Sequence, residues 1–159
     1  MNVTVLGSGY VGLVTAACLS EVGNDVVCFD IDRAKIDSLA ANRVPFHERD
    51  LPALVERNAS LGRLHFTGNV AFAIRHGAIV FIATGTPPGE DGSADLSHVL
   101  AAARSIGRHM QTAKIVVQKS TVPVGTATAV MGAIAGEVAE RRAGGDADAL
   151  ALPPAFATV

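Results

Sequence analysis

Three glycines, spaced as Gly7-x-Gly9-x-x-Gly12, constrain the fold of this chain more than any other feature. They directly follow a short apolar run, Asn2–Leu6, that is typical of a buried strand, and they open a segment with helical periodicity. Glycines in this position let a strand turn sharply into a helix, because they tolerate positive φ and close backbone packing. The sequence therefore predicts a strand-turn-helix unit at its start.

The segment after the glycines is predicted to be a helix that packs on a sheet through one apolar stripe. The residues of that stripe are Val11, Val14, Cys18 and Val22. Gly23-Asn24 is a stop signal for this helix, and the apolar run Asp25–Asp30 after it predicts a second strand.

The same alternation of apolar runs and helical stripes continues along the rest of the chain. Further strands are predicted at Leu64–Thr67, Ala78–Ala83 and Lys114–Gln118. Further helices are predicted at Arg33–Ala41, Leu51–Ala59, Val70–Arg75, Leu96–Ile106 and Thr126–Arg142, with Arg141-Arg142 at a solvated helix end and a loop at Ala143–Asp148. Continuous apolar strands are typical of a sheet with helices on both faces. The predicted fold class is α/β, a doubly wound, mostly parallel sheet in a single domain spanning residues 1–159.

An acidic residue, Asp30, ends the second predicted strand 18 positions after Gly12. This is close to the spacing of about 20 residues found in Rossmann-like dinucleotide-binding units. There Gly9 would let a diphosphate approach the backbone, the amides at the helix start would bind it, and the Asp30 carboxylate would accept hydrogen bonds from ribose hydroxyls. A glycine-rich turn without a ligand and a solvated charge at a strand end are the alternatives.

The identity of the dinucleotide depends on the charges around Asp30. Its carboxylate would repel a 2′-phosphate, which favours NAD over NADP. Two nearby cations, Arg33 and Lys35, leave NADP open, because a cation beside the ribose can accommodate that phosphate. NAD is the predicted cofactor.

Composition excludes several other classes of protein. The 159 residues carry 13 Lys+Arg against 15 Asp+Glu, a net charge of -2, which argues against a nucleic-acid binder and a polybasic membrane anchor. No basic leader or membrane-length apolar segment is found, and Cys18 and Cys28 lack metal or disulfide spacing, so a cytoplasmic protein with two buried, reduced thiols is expected. No metal site is expected from the histidines, which lack ligand spacing: His47, His65, His76, His98 and His109.

The first segment of the chain, Asn2–Asp32, carries Gly-Tyr-Val-Gly at 9–12 and Asp-Ile-Asp at 30–32. It resembles the amino-terminal domain of the UDP-glucose/GDP-mannose dehydrogenase family. Three further stretches carry the resemblance over nearly the whole chain: Gly85-Thr86-Pro87-Pro88, Ala94-Asp95-Leu96 and Lys119-Ser120-Thr121-Val122-Pro123-Val124-Gly125-Thr126. The resemblance implies an oxidoreductase of nucleotide-sugar metabolism and polysaccharide biosynthesis that oxidises a primary alcohol to a carboxylate with two NAD. UDP-glucose is the expected substrate. GDP-mannose, UDP-N-acetylmannosamine and a non-catalytic NAD-binding module are the alternatives.

The same resemblance implies roles for individual residues. The pyrophosphate would be held by Gly7, Gly9, Tyr10, Val11 and Gly12. Asp30 and Lys35 would bind the adenosine ribose, Thr86 would line the cofactor cleft, and Thr121 would lie near the nicotinamide and help to place a water as an accessory catalytic residue. On chemistry alone, both threonine hydroxyls could equally be helix caps or turn bonds.

The chain also departs from the family pattern. The family's nucleophilic cysteine, lysine acid/base and most sugar contacts lie downstream in a second domain, so the 159 residues alone are expected to bind NAD without oxidising the sugar, and to associate through an uncovered apolar patch. Phe46-His47-Glu48-Arg49 stands where the family has Tyr-Glu-Pro, with His47 as a surface or loop substitution. Near Leu152–Phe156, Ala155 takes the place of a glutamate in a turn that follows the family's sixth strand.

Overall fold

The computed structural model describes residues 1–89, 93–152 and 157–158, which alternate strands and helices as the sequence predicts. The strands are β1 (Asn2–Leu6), β2 (Asp25–Phe29), β3 (Leu64–Thr67), β4 (Ile79–Ile82), β5 (Ile115–Gln118) and β6 (Ala157–Thr158). The helices are α1 (Tyr10–Glu21), α2 (Arg33–Ala40), α3 (Leu51–Ser60), α4 (Val70–His76), α5 (Ser97–His109), α6 (Thr126–Ala143) and α7 (Ala147–Ala151).

The strands of the described residues form one sheet in the order β3-β2-β1-β4-β5-β6, and each pairing is parallel. Leu6 at the end of β1 is in register with Phe29 of β2 and Ile82 of β4. The carboxyl ends of these three strands therefore meet at one edge, where the strand order reverses between β1 and β4. This confirms the predicted doubly wound, parallel sheet.

Helices bury both faces of the sheet. On one face, α1, α2 and α3 contribute apolar side chains to a core cluster that includes Leu13, Ala16, Ala17, Leu39, Leu51 and Val55. On the other face, α4, α5 and α6 contribute Ile74, Val99, Ala103, Ile106, Val130, Ile134 and Val138. Burial on both sides explains why the strands are apolar along their whole length.

The buried face of α1 differs from the predicted stripe. Its buried residues are Gly12, Leu13, Ala16, Ala17 and Ser20, whereas the predicted stripe is largely outside, with Val11 43% exposed and Val22 77% exposed. The cause lies at Gly12, where an added Cβ would overlap the carbonyl oxygen of Gly7. Gly12 must therefore face the sheet, and this fixes the rotation of the whole helix.

The rotation of α1 also corrects the prediction of two buried thiols. Cys18 lies on the outer face of α1 and is exposed, while Cys28 in β2 is fully buried. Burial raises the pKa of the Cys28 thiol to about 12, and the nearby Asp30 charge adds to this rise. The prediction is thus wrong for Cys18 and confirmed for Cys28.

The end of the chain is more structured than the sequence predicts. Residues assigned to a loop begin α7, whose cap Asp146 accepts a hydrogen bond from the amide of Ala149 (3.1 Å). The Arg141 side chain is 14% exposed, pairs with Asp146, and donates to the carbonyl oxygen of Met110 (2.8 Å) at the end of α5. The predicted solvated helix end is therefore wrong for Arg141, which joins three elements.

The sixth strand lies later in the chain than the sequence predicts. The sequence prediction places the family's turn near 152–156, after a sixth strand, but β6 is Ala157–Thr158 and follows that stretch. Ala155 itself lies outside the described residues.

Within the described ranges, no helix has both the length and the apolar character needed to cross a membrane.

Candidate cofactor-binding site

A cleft of about 610 Å³ opens at the carboxyl edge of the sheet, at the reversal of strand order. Its wall includes Gly7 and Gly9 of the glycine-rich turn, Asp30 at the end of β2, Lys35 in α2, and several residues of α5. Ligands of open parallel sheets bind in this kind of crevice, outside the strand ends. The topology thus places the glycines and Asp30 around one cavity.

Each of the three motif glycines has a distinct surrounding. Gly7 has a φ of +106°, and an added Cβ would lie 2.6 Å from the carbonyl oxygen of Ala83. Gly12 packs against the carbonyl of Gly7, as described above. An added Cβ at Gly9 meets no atom within 4 Å, so it would project into open space beside the backbone. Gly7 and Gly12 therefore shape the turn, while Gly9 leaves room for a group to reach it.

The start of α1 presents unpaired amides to this space. The helix begins with Gly9 as its cap, which offers no side chain to the first turn, and the Leu13 amide makes the first helical bond to Gly9 (2.8 Å). The amides of Tyr10 and Val11 precede that bond and have no carbonyl four residues back within the helix. Together with the positive end of the helix dipole, they fit a diphosphate.

The Tyr10 side chain points away from this role. It is 56% exposed, its ring lies 5.3 Å from the ring of Phe46, and its hydroxyl donates to the carboxylate of Glu48. The Tyr10 ring thus connects the segment before α3 to the start of α1, and the backbone amide of Tyr10 is the group left for a ligand at the turn. His47, beside these contacts, is exposed as predicted.

Asp30 is held by four hydrogen bonds. Its Oδ2 accepts from the Ser8 amide (2.9 Å), the Ser8 hydroxyl (2.7 Å) and the Lys35 ammonium (3.3 Å), and its Oδ1 accepts from the Asp32 amide (3.0 Å). Burial alone would raise the pKa of the Asp30 carboxyl, but the bonds from Asp32 and Ser8 and the charge of Lys35 outweigh it and lower that pKa below its ordinary value. Asp30 is thus an ionised, fixed acceptor at the wall of the cleft.

The two cations near Asp30 are placed differently. Asp32 caps α2 by accepting from the Lys35 amide (3.1 Å), and this turn brings the Lys35 ammonium to Asp30. Arg33 instead lies against Gly68, where an added Cβ would be 3.1 Å from its Nη1. Of these two cations, Lys35 is the one that forms an ion pair with the Asp30 carboxylate, at 3.3 Å.

The structure brings the two predicted threonines together. The Thr86 hydroxyl donates to the carbonyl oxygen of Thr121 (2.9 Å), which joins the loop after β4 to the loop after β5. The Thr121 residue is exposed. Among the described residues, the wall of the cleft includes Gly85 and Pro87 on either side of Thr86, but neither threonine.

The sequence alone did not single out Ser8, which occupies the variable position between Gly7 and Gly9. Ser8 is fully buried and donates both of its hydrogen-bonding groups to Asp30, which lies 22 positions away. The only sequence signal is a hydroxyl residue one position before Gly9.

In the part of the chain that the structure describes, no group of three His, Cys, Asp or Glu side chains is arranged to hold a metal ion.

Comparison with known proteins agrees with this geometry. Residues 1–157 match the model of the UDP-glucose/GDP-mannose dehydrogenase family, NAD binding domain. The chain is 49% identical over 142 residues to a UDP-glucose 6-dehydrogenase of Pseudomonas aeruginosa, covering 89% of this chain and 31% of that protein. It is 50% identical over 125 residues to the UDP-glucose 6-dehydrogenase TuaD of Bacillus subtilis, covering 79% and 27%.

Two solved structures share the fold over most of the chain. A UDP-glucose dehydrogenase of Pyrobaculum islandicum superposes with a TM-score of 0.83 at 42% identity, covering 86% of this chain and 33% of that one. A ternary complex of GDP-mannose dehydrogenase from Pseudomonas aeruginosa also gives a TM-score of 0.83, at 34% identity, covering 86% and 32%. The chain spans about a third of the length of these relatives. It belongs to the UDP-glucose/GDP-mannose dehydrogenase family, in which it corresponds to the NAD-binding domain.

Proposed function

We propose that residues 1–159 act as a single dinucleotide-binding domain, the NAD-binding portion of an oxidoreductase that oxidises UDP-glucose to its carboxylate. One observation carries this proposal above the rest. The turn with an open approach at Gly9 and the ionised Asp30 line the same cleft, at the reversal of strand order. A diphosphate and the ribose attached to it need these two groups, in this order, along one cavity.

The residues of the turn would hold the pyrophosphate. Gly9 supplies room at the backbone, and the amides of Tyr10 and Val11 donate at the start of α1. Gly7 and Gly12 act on the ligand indirectly, because their contacts give the turn its shape. Bound NAD would supply the hydride acceptor for oxidation of the sugar alcohol.

Asp30 and Lys35 would bind the adenosine ribose. The Asp30 carboxylate is ionised and accepts hydroxyl hydrogens, and the Lys35 ammonium, 3.3 Å from it, can donate to the same hydroxyls. A 2′-phosphate would place negative charge beside the ionised Asp30 carboxylate, which cannot donate a hydrogen bond to it. NAD is therefore favoured over NADP.

Thr86 and Thr121 would serve the nicotinamide end. The Thr86 hydroxyl is engaged with the Thr121 carbonyl, so its first effect is to position the loop after β5. The exposed Thr121 would then lie near the nicotinamide and help to place a water. The sequence predicts that the Thr86 side chain lines the cofactor cleft. For Thr86 to contact the cofactor, the cofactor would have to reach beyond Gly85, which is part of the cleft wall.

UDP-glucose is favoured as substrate because two relatives that carry this activity in their names are 49% and 50% identical to the chain. The GDP-mannose dehydrogenase structure is 34% identical. Turnover of the full-length protein with UDP-glucose, GDP-mannose and UDP-N-acetylmannosamine would decide among them. Absence of turnover with all three would favour a non-catalytic NAD-binding module.

Calorimetric titration of the 159-residue chain tests the proposal. We expect saturable binding of NAD with a dissociation constant on the order of micromolar, and NADP binding weaker by about 10-fold or more. Asp30→Asn keeps the shape of the side chain but removes its charge, so it should bring the two affinities closer together. A wild-type chain that binds neither dinucleotide would contradict the proposal.

The same preparation, mixed with NAD and UDP-glucose, should show no steady increase in NADH absorbance. The reason is that the chain matches about a third of the length of the active relatives. Steady NADH formation would contradict the assignment of the sugar chemistry to residues outside 1–159.

We further propose that the protein works in a reducing, cytoplasmic compartment and supplies sugar acids for polysaccharide biosynthesis. Both cysteines are free, as is usual for proteins kept reduced by cellular thiols.

Association of the protein into a homo-oligomer stays a prediction. Light scattering that shows a monodisperse monomer at high concentration would contradict it.

A further inference from the structure

Ser8 connects the glycine-rich turn to Asp30, the two groups of the cleft that are proposed to bind the ligand. It stands between Gly7 and Gly9 in the phosphate turn, and both its amide and its hydroxyl donate to Oδ2 of Asp30. Ser8 is fully buried, so water does not compete for these bonds. The ribose acceptor is therefore fastened directly to the turn that faces the diphosphate.

The distribution of donors leaves one oxygen of Asp30 more accessible. A carboxylate offers about four lone-pair positions over its two oxygens. Oδ2 already receives Ser8 twice and Lys35 once, whereas Oδ1 receives the Asp32 amide alone. The free acceptor capacity is thus on Oδ1, and Ser8 determines which oxygen is turned inward and which is left for a ligand.

We infer that Ser8 is a positioning residue for cofactor recognition, whose hydroxyl holds Asp30 so that Oδ1 faces the ribose hydroxyls. This inference rests on the proposed binding of the adenosine ribose at Asp30. Ser8 touches no part of the ligand in this account. It acts through Asp30, and its removal should affect the recognition of ribose hydroxyls rather than of phosphate.

The decisive experiment pairs a protein change with a ligand change. ADP and dideoxy-ADP, which lacks both ribose hydroxyls, are titrated into the wild-type chain, Ser8→Ala and Ser20→Ala. Ser20 is the matched control, because it is also fully buried and donates its hydroxyl only within α1, to the Ala17 carbonyl (2.8 Å). Thermal unfolding of each variant verifies that it is folded.

Without the Ser8 hydroxyl, the Asp30 carboxylate can turn away from the ribose hydroxyls, so ADP binding should weaken in Ser8→Ala by about 10-fold, the value of one hydrogen bond to a charged group. Dideoxy-ADP should bind Ser8→Ala and wild type equally, and Ser20→Ala should match wild type with both ligands. Equal losses with both ligands would mean that Ser8 only supports the turn, and would overturn the inference. Unchanged ADP affinity in Ser8→Ala would overturn it as well.

Ser8→Gly is a second variant that also removes the hydroxyl but leaves no methyl group in the buried position, and it should give the same pattern. If wild type binds neither NAD nor ADP, the proposed function fails and this inference fails with it. If wild type discriminates ADP from dideoxy-ADP but the serine variants lose no discrimination, the inference alone fails.

The pH profile supplies a readout that a loosened turn would not move. The Ser8 hydroxyl is one of the bonds that hold the pKa of Asp30 below its ordinary value. Its removal raises that pKa, so on acidification ADP binding by Ser8→Ala should decline at a higher pH than ADP binding by wild type. A profile that coincides with that of Ser20→Ala would count against the inference.

Discussion

The two corners of the carboxyl edge differ in how completely their polar groups are paired. At the β1–β2 corner, Asp30 is 9% exposed and receives four hydrogen bonds. At the β4–β5 corner, the Thr84 hydroxyl oxygen and both side-chain amide atoms of Gln118 are buried and find no hydrogen-bond partner among the described residues, and Val124 is fully exposed. The described residues thus pair the polar groups of the β1–β2 corner, called the finished corner below, more completely than those of the β4–β5 corner.

The difference indicates which part of the cofactor site is preorganised. Buried polar atoms without partners are costly, and they gain hydrogen bonds when a ligand, a water or another segment reaches them. If NAD binds as proposed, its adenosine end meets polar groups that are already held in place, whereas its nicotinamide end meets polar groups that the described residues leave unpaired. Four predictions test this contrast, in order of decreasing expected effect.

Gly12→Ala should break the finished corner outright. Its Cβ would overlap the Gly7 carbonyl oxygen, so the start of α1 must move away from β1. We expect a loss of about 3 kcal/mol in the free energy of unfolding, measured by urea denaturation. The control is Gly132→Ala in α6, where an added Cβ meets no atom within 4 Å and should stabilise the helix by about 1 kcal/mol. Equal stability of the two variants would contradict this account of the turn.

Gly9→Ala should leave the same corner folded but close it to the diphosphate. The new Cβ enters open space, so the free energy of unfolding should change by less than about 1 kcal/mol. Affinity for ADP should fall by about 10-fold or more, since the methyl group keeps the phosphate from one or more amides. Calorimetry on Gly9→Ala and wild type measures this. Unchanged affinity would place the phosphate away from Gly9.

Thr86→Val should loosen only the β4–β5 corner. It removes the hydroxyl that donates to the Thr121 carbonyl, at a cost of about 1 kcal/mol in unfolding free energy. ADP affinity should be unchanged, because no bond of this threonine reaches the Asp30 corner. Thr86→Ser keeps the hydroxyl and should retain wild-type stability. A decrease in ADP affinity for Thr86→Val would show that the two corners are coupled.

The sequence predicts the finished corner well because its constraints are local. A strand, a turn of three glycines and an acidic strand end are each recognisable from neighbouring residues, and the parallel sheet follows from their alternation. Thr86 and Thr121 could be assigned only by resemblance, since the bond between them joins residues 35 positions apart.

The features that sequence reasoning got wrong depend on contacts between distant segments. Helical spacing allows α1 to bury either Val11 and Cys18 or Leu13 and Ala17, and the contact of Gly12 with Gly7 selects the second face. Likewise, a five-residue helix such as α7 has little intrinsic stability. It is held by its cap and by Arg141, whose side chain also donates to the Met110 carbonyl 31 positions away, a contact that no local pattern reveals.

The smallest expected effect concerns the two thiols, one buried in β2 beside the finished corner and one exposed on the outer face of α1. With a thiol-specific disulfide reagent at pH 8, the native chain should react rapidly at the exposed Cys18 alone, and both thiols should react in denaturant. With a pKa of about 12, Cys28 is ionised in roughly one molecule in ten thousand at that pH, and burial blocks access to it. Cys18→Ser should abolish the native reaction while leaving ADP affinity and stability unchanged, because Cys18 contacts neither the cleft nor the core. Rapid labelling of Cys28 in the native state would mean that β2 separates transiently from its neighbouring strands. The finished corner would then open in the native protein and would not be preorganised.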